Sequence, residues 1–448
     1  MSKYRYLLRD YHAIKEADIA LDGITVLSGI NGCGKSTLSR WLYYIICGTV
    51  DFESNLFNSY IDKLASLTHR MQFACRDLIL FTNRDSNEYE RFNPIISDLE
   101  RIKSLTYIPT EKRIDFAKEL SLKAMLITEE MLTRNIPKGI NNVRKNRILA
   151  FLNISSTDDD RQAIKEFKIK TERYINQRTE SLYKEIRQRS KDTFFKLIRE
   201  NYNIAEELPA QIQLIEDDVN IIESDHISAL FNLRSAIYVD TPMSVSMNDT
   251  ENFFWDTLHD MLTNKKKNDL STEVKKLLLR IKNLLGGEVV LNEDDILEEK
   301  TLHYVSSDKK IDIDLSEVAT GFKTFSYLQL LLGNGYLNDE TLLMIDEPEA
   351  HLHPQWIVEF ARLLVLMNKD LGLKIMIASH NPDMVAAIHD IAYKEGILNN
   401  TNFYVAQPSS PDSHQFVYKD LKHDIGEIFA SFNLAIDKIN LYGRPAGL

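Results

Sequence analysis

Nine residues constrain this chain more than any others. Gly29-Ile30-Asn31-Gly32-Cys33-Gly34-Lys35-Ser36-Thr37 fits the pattern G-x-x-x-x-G-K-[ST]. They follow a short apolar run, Ile24-Thr25-Val26-Leu27, and open a segment with Leu38, Trp41, Leu42, Ile45 and Ile46 at helical spacing. A strand, a glycine-rich loop and a helix in that order form a cradle for a polyphosphate. Backbone N–H groups of Gly29, Asn31, Gly32, Cys33 and Gly34 can turn inward, and the helix N-terminus adds partial positive charge. Lys35 is expected at the terminal phosphates, Ser36 at a Mg2+ ion, and Thr37 at the α-phosphate. A glycine-rich turn that precedes Lys-Ser by chance is the competing reading. The strand and helix context argues against it.

A second pattern lies about 300 residues later. Leu342-Leu343-Met344-Ile345 reads as a buried strand that ends in Asp346-Glu347. Asp346 is expected to hold Mg2+ through water, and Glu347 to act as general base on the attacking water. Many strands end in acids, so the pair gains meaning only beside the phosphate loop. A third apolar run, Ile375-Met376-Ile377-Ala378, precedes Ser379-His380-Asn381-Pro382. A histidine at the end of a neighbouring parallel strand can reach a γ-phosphate. Alone, it would be read as a surface-loop histidine.

Strands alternating with helices at both ends predict an α/β fold with a mostly parallel sheet. Between them the composition changes. Residues 114–203 hold one proline, Pro137, and apolar positions at helical spacing, including Ile164, Phe167, Ile175, Leu182, Ile186, Phe194 and Leu197. This predicts a helical insert, in the form of a hairpin arm or coiled coil. The expected organisation is a head segment at 1–114, the insert at 115–229, and a second head segment at 230–448. A further helix over 271–285 should stop at Gly286-Gly287. Short strands are expected at 288–291, 302–305 and 311–313.

The net charge is −12, which argues against a protein that coats nucleic acid with one large basic face. Residues 161–199 run against that trend, with twelve Lys and Arg against five Asp and Glu. They offer phosphate-backbone contact with DNA or RNA, or a dock for an acidic partner. The bland alternative is a solvated helix face with ion pairs such as Glu180–Lys184. Three cysteines make no disulfide framework, and the N-terminus lacks the apolar stretch of a signal peptide. A cytoplasmic protein with no membrane span is expected.

Small kinases, GTPases, hexameric motors and ABC-type ATPases share the first two patterns. Leu315-Ser316-Glu317-Val318-Ala319-Thr320-Gly321-Phe322-Lys323-Thr324 discriminates among them. It resembles the signature motif of ABC-type ATPases, with Ala319 where serine is usual. Asp346-Glu347-Pro348-Glu349-Ala350-His351-Leu352-His353-Pro354 resembles the Walker B and D-loop of ATPases related to SMC, RecF and OLD proteins. Overall, the chain resembles the ATPase subunits of the PARIS and Septu anti-phage systems. Their G-x-K-[ST]-F element reads here Gly321-Phe322-Lys323-Thr324-Phe325.

That resemblance implies a P-loop ATPase of ABC type using ATP and Mg2+. It implies Thr320, Gly321 and Lys323 acting on the ATP of an opposing subunit, and hence at least a homodimer. His353 would lie at the head contact, and His380 would sense the γ-phosphate. A slow switch controlling a separate toxin or nuclease follows. Tyr107-Ile108-Pro109-Thr110-Glu111 resembles the strand and loop of the Q-loop, without its glutamine; Glu111 is the candidate there, and a surface turn is equally compatible.

No zinc hook, nuclease, protease or deaminase constellation is visible. The stretch after His380 is short for the Toprim domain that OLD proteins carry. His351-x-His353 is a poor zinc signal without further ligands. Asp158-Asp159-Asp160 and Asp312-x-Asp314 read as solvated, and Lys265-Lys266-Lys267 forms another basic cluster with the same two readings as residues 161–199. The apolar residues of the tail, among them Ile425, Ile428, Phe432, Leu434, Ile436 and Ile439, fit a docking helix or packing on the head. A RecF-like DNA-repair ATPase and a non-hydrolysing ATP-gated scaffold are the rival functions. A hexameric motor fits the signature-like stretch less well.

Overall fold

The computed structural model describes residues 3–82, 88–135, 142–154, 159–240, 253–266, 269–293, 300–411, 413–429 and 441–442. Pro137, Asp158, Lys267 and the tail residues Phe432, Leu434, Ile436 and Ile439 lie outside them. The chain divides into two compact units. One combines Met1–Val50 with Phe194–Leu448, and the other is Asp51–Thr193.

Strands β1 (Tyr4–Tyr11), β2 (Ile14–Ala20) and β3 (Ile24–Ser28) lead into α1 (Lys35–Val50). Helices α2 (Phe52–Thr82), α3 (Asn93–Ser104), α4 (Thr110–Asn135), α5 (Asn142–Phe151), α6 (Asp160–Gln188) and α7 (Lys191–Asn201) follow. Next come β4 (Gln211–Glu216), β5 (Val219–Asn220), β6 (Ser235–Val239), α8 (Phe253–Thr263) and α9 (Thr272–Leu285). A small antiparallel sheet holds β7 (Gly287–Glu293), β8 (Lys300–Ser306) and β9 (Asp312–Asp314). The chain continues through α10 (Thr320–Gly333), β10 (Thr341–Asp346), α11 (Pro354–Leu371), β11 (Lys374–Ser379), α12 (Pro382–Lys394), β12 (Thr401–Pro408) and β13 (Phe416–Lys422).

The main sheet runs β5-β4-β1-β2-β13-β12-β3-β11-β10-β6. Its five strands from β12 to β6 run parallel to one another, and β12 pairs antiparallel with β13 on its other side. On the other side, β1 pairs antiparallel with β2 and β4. The parallel strands β3, β10 and β11 are buried along their whole length, as their unbroken apolar runs require. Register then sets the site. Ser379 lies opposite Ser28, Asp346 opposite Ala378, and Ile345 opposite Val239. The carboxyl ends of four neighbouring strands therefore share one edge, where open α/β sheets bind ligands. Phe325, Tyr327, Leu328, Phe360 and Leu364 are fully buried in the core below that edge.

The expected helix at 271–285 forms as α9. Ser271 Oγ accepts from Val274 N at its start, and Gly286 closes it in the left-handed conformation.

The second unit is a bundle in which α2, α4 and α6 pack on one another, joined by α3 and α5. Tyr60 OH and Thr179 Oγ1 meet at 2.9 Å inside it, and the Arg113 guanidinium lies 4.6 Å from the Phe57 ring centre. This differs from the anticipated hairpin arm. The apolar stripe of α2, with Leu56, Tyr60 and Leu64, requires cover from more than one helix. The bundle therefore begins at residue 51 rather than 115. It ends at 193 rather than 229, because β4 leaves the expected insert to pair with β1. The Glu180–Lys184 pair does not form; Lys168 bonds Glu129 and Lys170 bonds Glu166 instead. No helix among the described residues is long and apolar enough to cross a membrane.

Candidate nucleotide site

The loop between β3 and α1 is shaped by its glycines. Gly34 has φ +95°, and a Cβ there would sit 2.7 Å from Ile14 Cγ1, so any other residue would strain the backbone and push the Ile14 side chain aside. From the opposite side, Tyr418 OH of β13 donates to the Cys33 carbonyl at 3.1 Å and holds the loop. Lys35 is buried, and its Nζ donates to the carbonyls of Gly29 at 2.9 Å and Ile30 at 3.1 Å. The ammonium thus lies folded against the carbonyls of the loop itself.

Asp346 closes the edge beside α1. Ser39 Oγ donates to its Oδ1 at 2.8 Å, and Tyr238 OH donates to its Oδ2 at 3.0 Å. Burial pushes its carboxyl up to about 6, partly offset by hydrogen bonds from Ser36, Ser39 and Tyr238. A buried carboxylate beside the Ser36 hydroxyl suits a hard divalent cation, which takes oxygen ligands. The donor set therefore fits Mg2+. Neither Ser39 nor Tyr238 was singled out in the sequence. Ser39 lies one helical turn past Lys35, and Tyr238 sits in the apolar run Ala236-Ile237-Tyr238-Val239-Asp240.

Glu347 follows in a left-handed conformation, φ +48°. Such a backbone costs a non-glycine residue about 1–2 kcal/mol. Two hydrogen bonds enforce it: Glu347 N donates to Ala378 O at 2.8 Å, and its carbonyl accepts from Ala350 N at 2.9 Å. The side chain remains 43% exposed, so the strain aims a carboxylate at open solvent. His380 Nδ1 lies 3.6 Å from Glu347 Oε1 and 3.6 Å from Glu349 Oε1.

Glu349 is the residue the motif reading passed over. It is 6% exposed, and its Oε1 accepts from Ser379 Oγ at 2.8 Å and from His380 N at 3.1 Å. Burial raises its pKa. Its Oε2 has no hydrogen-bond partner among the described residues. Glu349 thereby ties the end of β10 to the end of β11 and fixes the backbone that carries His380.

The segment at the start of α10 has a different character. Ala319 caps the helix without a side-chain hydrogen bond, so its first turn is open. At Gly321 a Cβ would have 3.4 Å to its nearest neighbour, Leu352, an ordinary contact. The fold does not demand glycine there, although glycine in a helix costs about 1 kcal/mol against alanine. A close approach from outside would demand it. Lys323 is buried and donates to the Ser316 carbonyl at 2.8 Å, and burial lowers its pKa.

Other candidates have local roles. His353 caps α11 through Gln355 N at 3.4 Å. Asp159 caps α6, and Asp314 accepts from Ser316 N at 2.7 Å. No group of three or more His, Cys, Asp and Glu suited to a metal gathers among the described residues. Residues 107–111 do not form the anticipated strand. Thr110 begins α4, and Glu111 lies on that helix in the second unit. The strand next to β10 is β6, which ends at Val239 before Asp240.

A cavity of about 490 Å³ begins at Thr37 and follows one face of α1 through Arg40, Trp41 and Tyr44, facing Tyr11, His12 and residues 202–206. Its rings are close-packed: Tyr11–Trp41 centroids are 5.7 Å apart and Tyr44–Tyr202 centroids 4.4 Å.

A family model described as an AAA ATPase domain (AAA_15) matches residues 7–385. The Septu protein PtuA of Bacillus mycoides (strain KBAB4) is 32% identical over 108 residues, 23% of this chain and 14% of that protein. The energy-coupling factor transporter ATP-binding protein EcfA2 of Clostridium perfringens (strain SM101 / Type A) is 44% identical over 57 residues, 12% of this chain and 20% of that protein. The chain thus spans no more than a fifth of the length of either curated relative. Among solved structures, the Smc head domain with an extended coiled coil, bound to the C-terminal domain of ScpA and derived from Pyrococcus furiosus, aligns over 97% of this chain and 100% of that one. Its identity is 9% and its TM-score 0.34.

Proposed function

The chain belongs to the AAA ATPase domain family, and on that premise we propose that it is a Mg2+-dependent switch ATPase of ABC and SMC-like type. The observation that carries this reading is the shared sheet edge. Register brings the phosphate loop, Asp346, Glu347 and His380 to neighbouring strand ends. The partial likeness to a Septu protein supports a role in anti-phage defence, with a separate effector under nucleotide control.

Each residue has a defined task. The loop N–H groups and Lys35 bind the β- and γ-phosphates of ATP, and Thr37 binds the α-phosphate. Ser36 and Asp346 would hold Mg2+, which supplies neutralising charge at those phosphates. The nucleoside end fits the aromatic cavity that begins at Thr37. Glu347 Oε1 takes a proton from the attacking water as its oxygen bonds the γ-phosphorus. The bond from that phosphorus to the bridging oxygen breaks, and ADP leaves. His380, held by Glu349, donates a hydrogen bond to the γ-phosphate. Glu347 speaks against a non-hydrolysing scaffold, because its carboxylate stands half-exposed 3.6 Å from His380 Nδ1.

The open first turn of α10 and the unneeded glycine at 321 support a second claim. That turn closes on the ATP of another copy of the chain, so two heads complete each other's sites. Light scattering on Glu347→Gln tests this. Addition of Mg·ATP is expected to convert monomer to dimer, or dimer to a more compact assembly. A strict monomer that binds ATP tightly would contradict it.

Glu349 gives a further expectation. Glu349→Ala should lower kcat about 10- to 100-fold, the usual cost of losing an outer support, with ATP affinity unchanged. Glu349→Gln should restore much of the rate, because its oxygen can accept the same two hydrogen bonds. If both variants lose activity equally, the carboxylate itself has a chemical role beyond support.

A further inference from the structure

The helical unit contains a cleft that ATP hydrolysis does not use. It lies between α2, α6 and the turn after α5, with a volume of about 470 Å³. On α2 its lining positions include Ser59, Lys63, Ser66 and Arg70, spaced three and four residues apart on one stripe. Lys63 and Ser66 are exposed, and Ser59 and Arg70 are half-buried.

Three cations line the cleft: Lys63, Arg70 and Lys170. Its one carboxylate, Asp62, is engaged by Lys103 at 2.6 Å. Lys170 pairs with Glu166 along α6, whereas Lys63 has no carboxylate partner among the described residues. Arg70 donates to the Phe151 carbonyl at 3.2 Å, which anchors its guanidinium at the cleft. Lys63 and Arg70 stand two turns apart, roughly 10 Å along the helix. Thr171 also lines the cleft. It is only 7% exposed, and its hydroxyl has no hydrogen-bond partner among the described residues.

Ser66 and Arg70 also line an adjoining cavity of about 420 Å³. Its other walls include Phe73, Tyr89 and Phe151. The Phe73 and Phe151 rings lie 5.1 Å apart and are 46% and 42% exposed. A cationic compartment and an aromatic compartment thus meet at Arg70. A flat base joined to a phosphate satisfies both.

We propose that this cleft binds a free nucleoside phosphate, separately from the phosphate loop of the ATPase site. The phosphate lies on Lys63, Arg70 and Lys170, and the base lies against Phe73 and Phe151. A nucleic-acid strand would repeat the same chemistry along its length, but each compartment has the volume of a small-molecule pocket.

Calorimetric titration of the full-length Lys35→Ala variant tests this, with the ATPase site disabled. AMP, CMP, GMP and UMP are titrated in turn, beside inorganic phosphate and a short oligothymidylate. At least one mononucleotide is expected to bind one to one with Kd below about 1 mM. Arg70→Ala should weaken it about 10- to 100-fold, the usual worth of a hydrogen bond to a charged group. Phe73→Ala, which removes only an exposed ring, should weaken it as well. Four results would each overturn the proposal. They are no mononucleotide binding in that range, affinities unmoved by both substitutions, phosphate binding as tightly as every nucleotide, or oligothymidylate binding through Arg70 while no mononucleotide binds.

Discussion

Glu347→Gln is expected to lower kcat for ATP hydrolysis by about two to four orders of magnitude, the range for loss of a positioned general base. Glutamine keeps the shape but cannot accept the proton of the attacking water. The two backbone bonds that hold residue 347 at φ +48° do not depend on the side chain. The fold and the nucleotide pocket should therefore persist. Removing a carboxylate beside the γ-phosphate also removes like-charge repulsion, so ATP should bind at least as tightly as before. Single-turnover hydrolysis and equilibrium binding separate the two effects. A variant that still turns over at a third of the original rate would remove Glu347 from the chemistry.

Asp346→Asn should stabilise the nucleotide-free protein while it abolishes hydrolysis. The Asp346 carboxyl lies near 6 in the fold because burial disfavours its charge. It is near 3.8 when unfolded, so the native state holds the proton more strongly. The sign follows from linkage. The contribution is fully present below the unfolded value and is lost as pH rises through about 6. Above that, the buried charge costs about 3 kcal/mol. Asparagine removes the charge while Ser39 and Tyr238 reorient their hydroxyls. At pH 8 the variant should melt several degrees higher, at about 2–4 °C per kcal/mol. In the original protein, saturating Mg·ATP should add about 2.7 kcal/mol at a hundredfold excess over Kd, and that increment should shrink in the variant, which keeps the phosphate loop but loses a Mg2+ ligand. A variant that melts lower at pH 8 would show that the carboxylate is paired in the absence of nucleotide.

The parts of the site that could be read from the sequence are those whose chemistry is local. The phosphate loop, Asp346-Glu347 and His380 each sit within a few residues of an apolar run, and parallel pairing brings the runs together. What stayed hidden depends on distant pairings. β6 supplies Tyr238 to Asp346, yet its residues carry no motif, and Tyr107-Ile108-Pro109 imitated the strand better. β4 alternates polar and apolar over Gln211-Ile212-Gln213-Leu214, but it lies in a stretch whose helical composition masked it. Glu349 stood inside a recognised motif without an assigned role, because its two donors, Ser379 and His380, come from the end of β11 and the residue after it. The bundle boundary was missed because α2 follows α1 after a single residue, Asp51, with no glycine or proline to mark the break.

The central claim is that each ATP site is completed by a second copy of the chain, and a mixing experiment tests it most directly. Lys35→Ala disables the phosphate loop and leaves the start of α10 intact. Gly321→Asp does the reverse, and a Cβ at residue 321 meets only ordinary contacts, 3.4 Å and more from Leu352 and Trp356. Each variant alone should be inactive. Co-expressed, half of randomly paired dimers carry both, and each such dimer holds one intact composite site, so activity should return to about a quarter of the original. Activity no greater than the sum of the two separate variants would contradict the account.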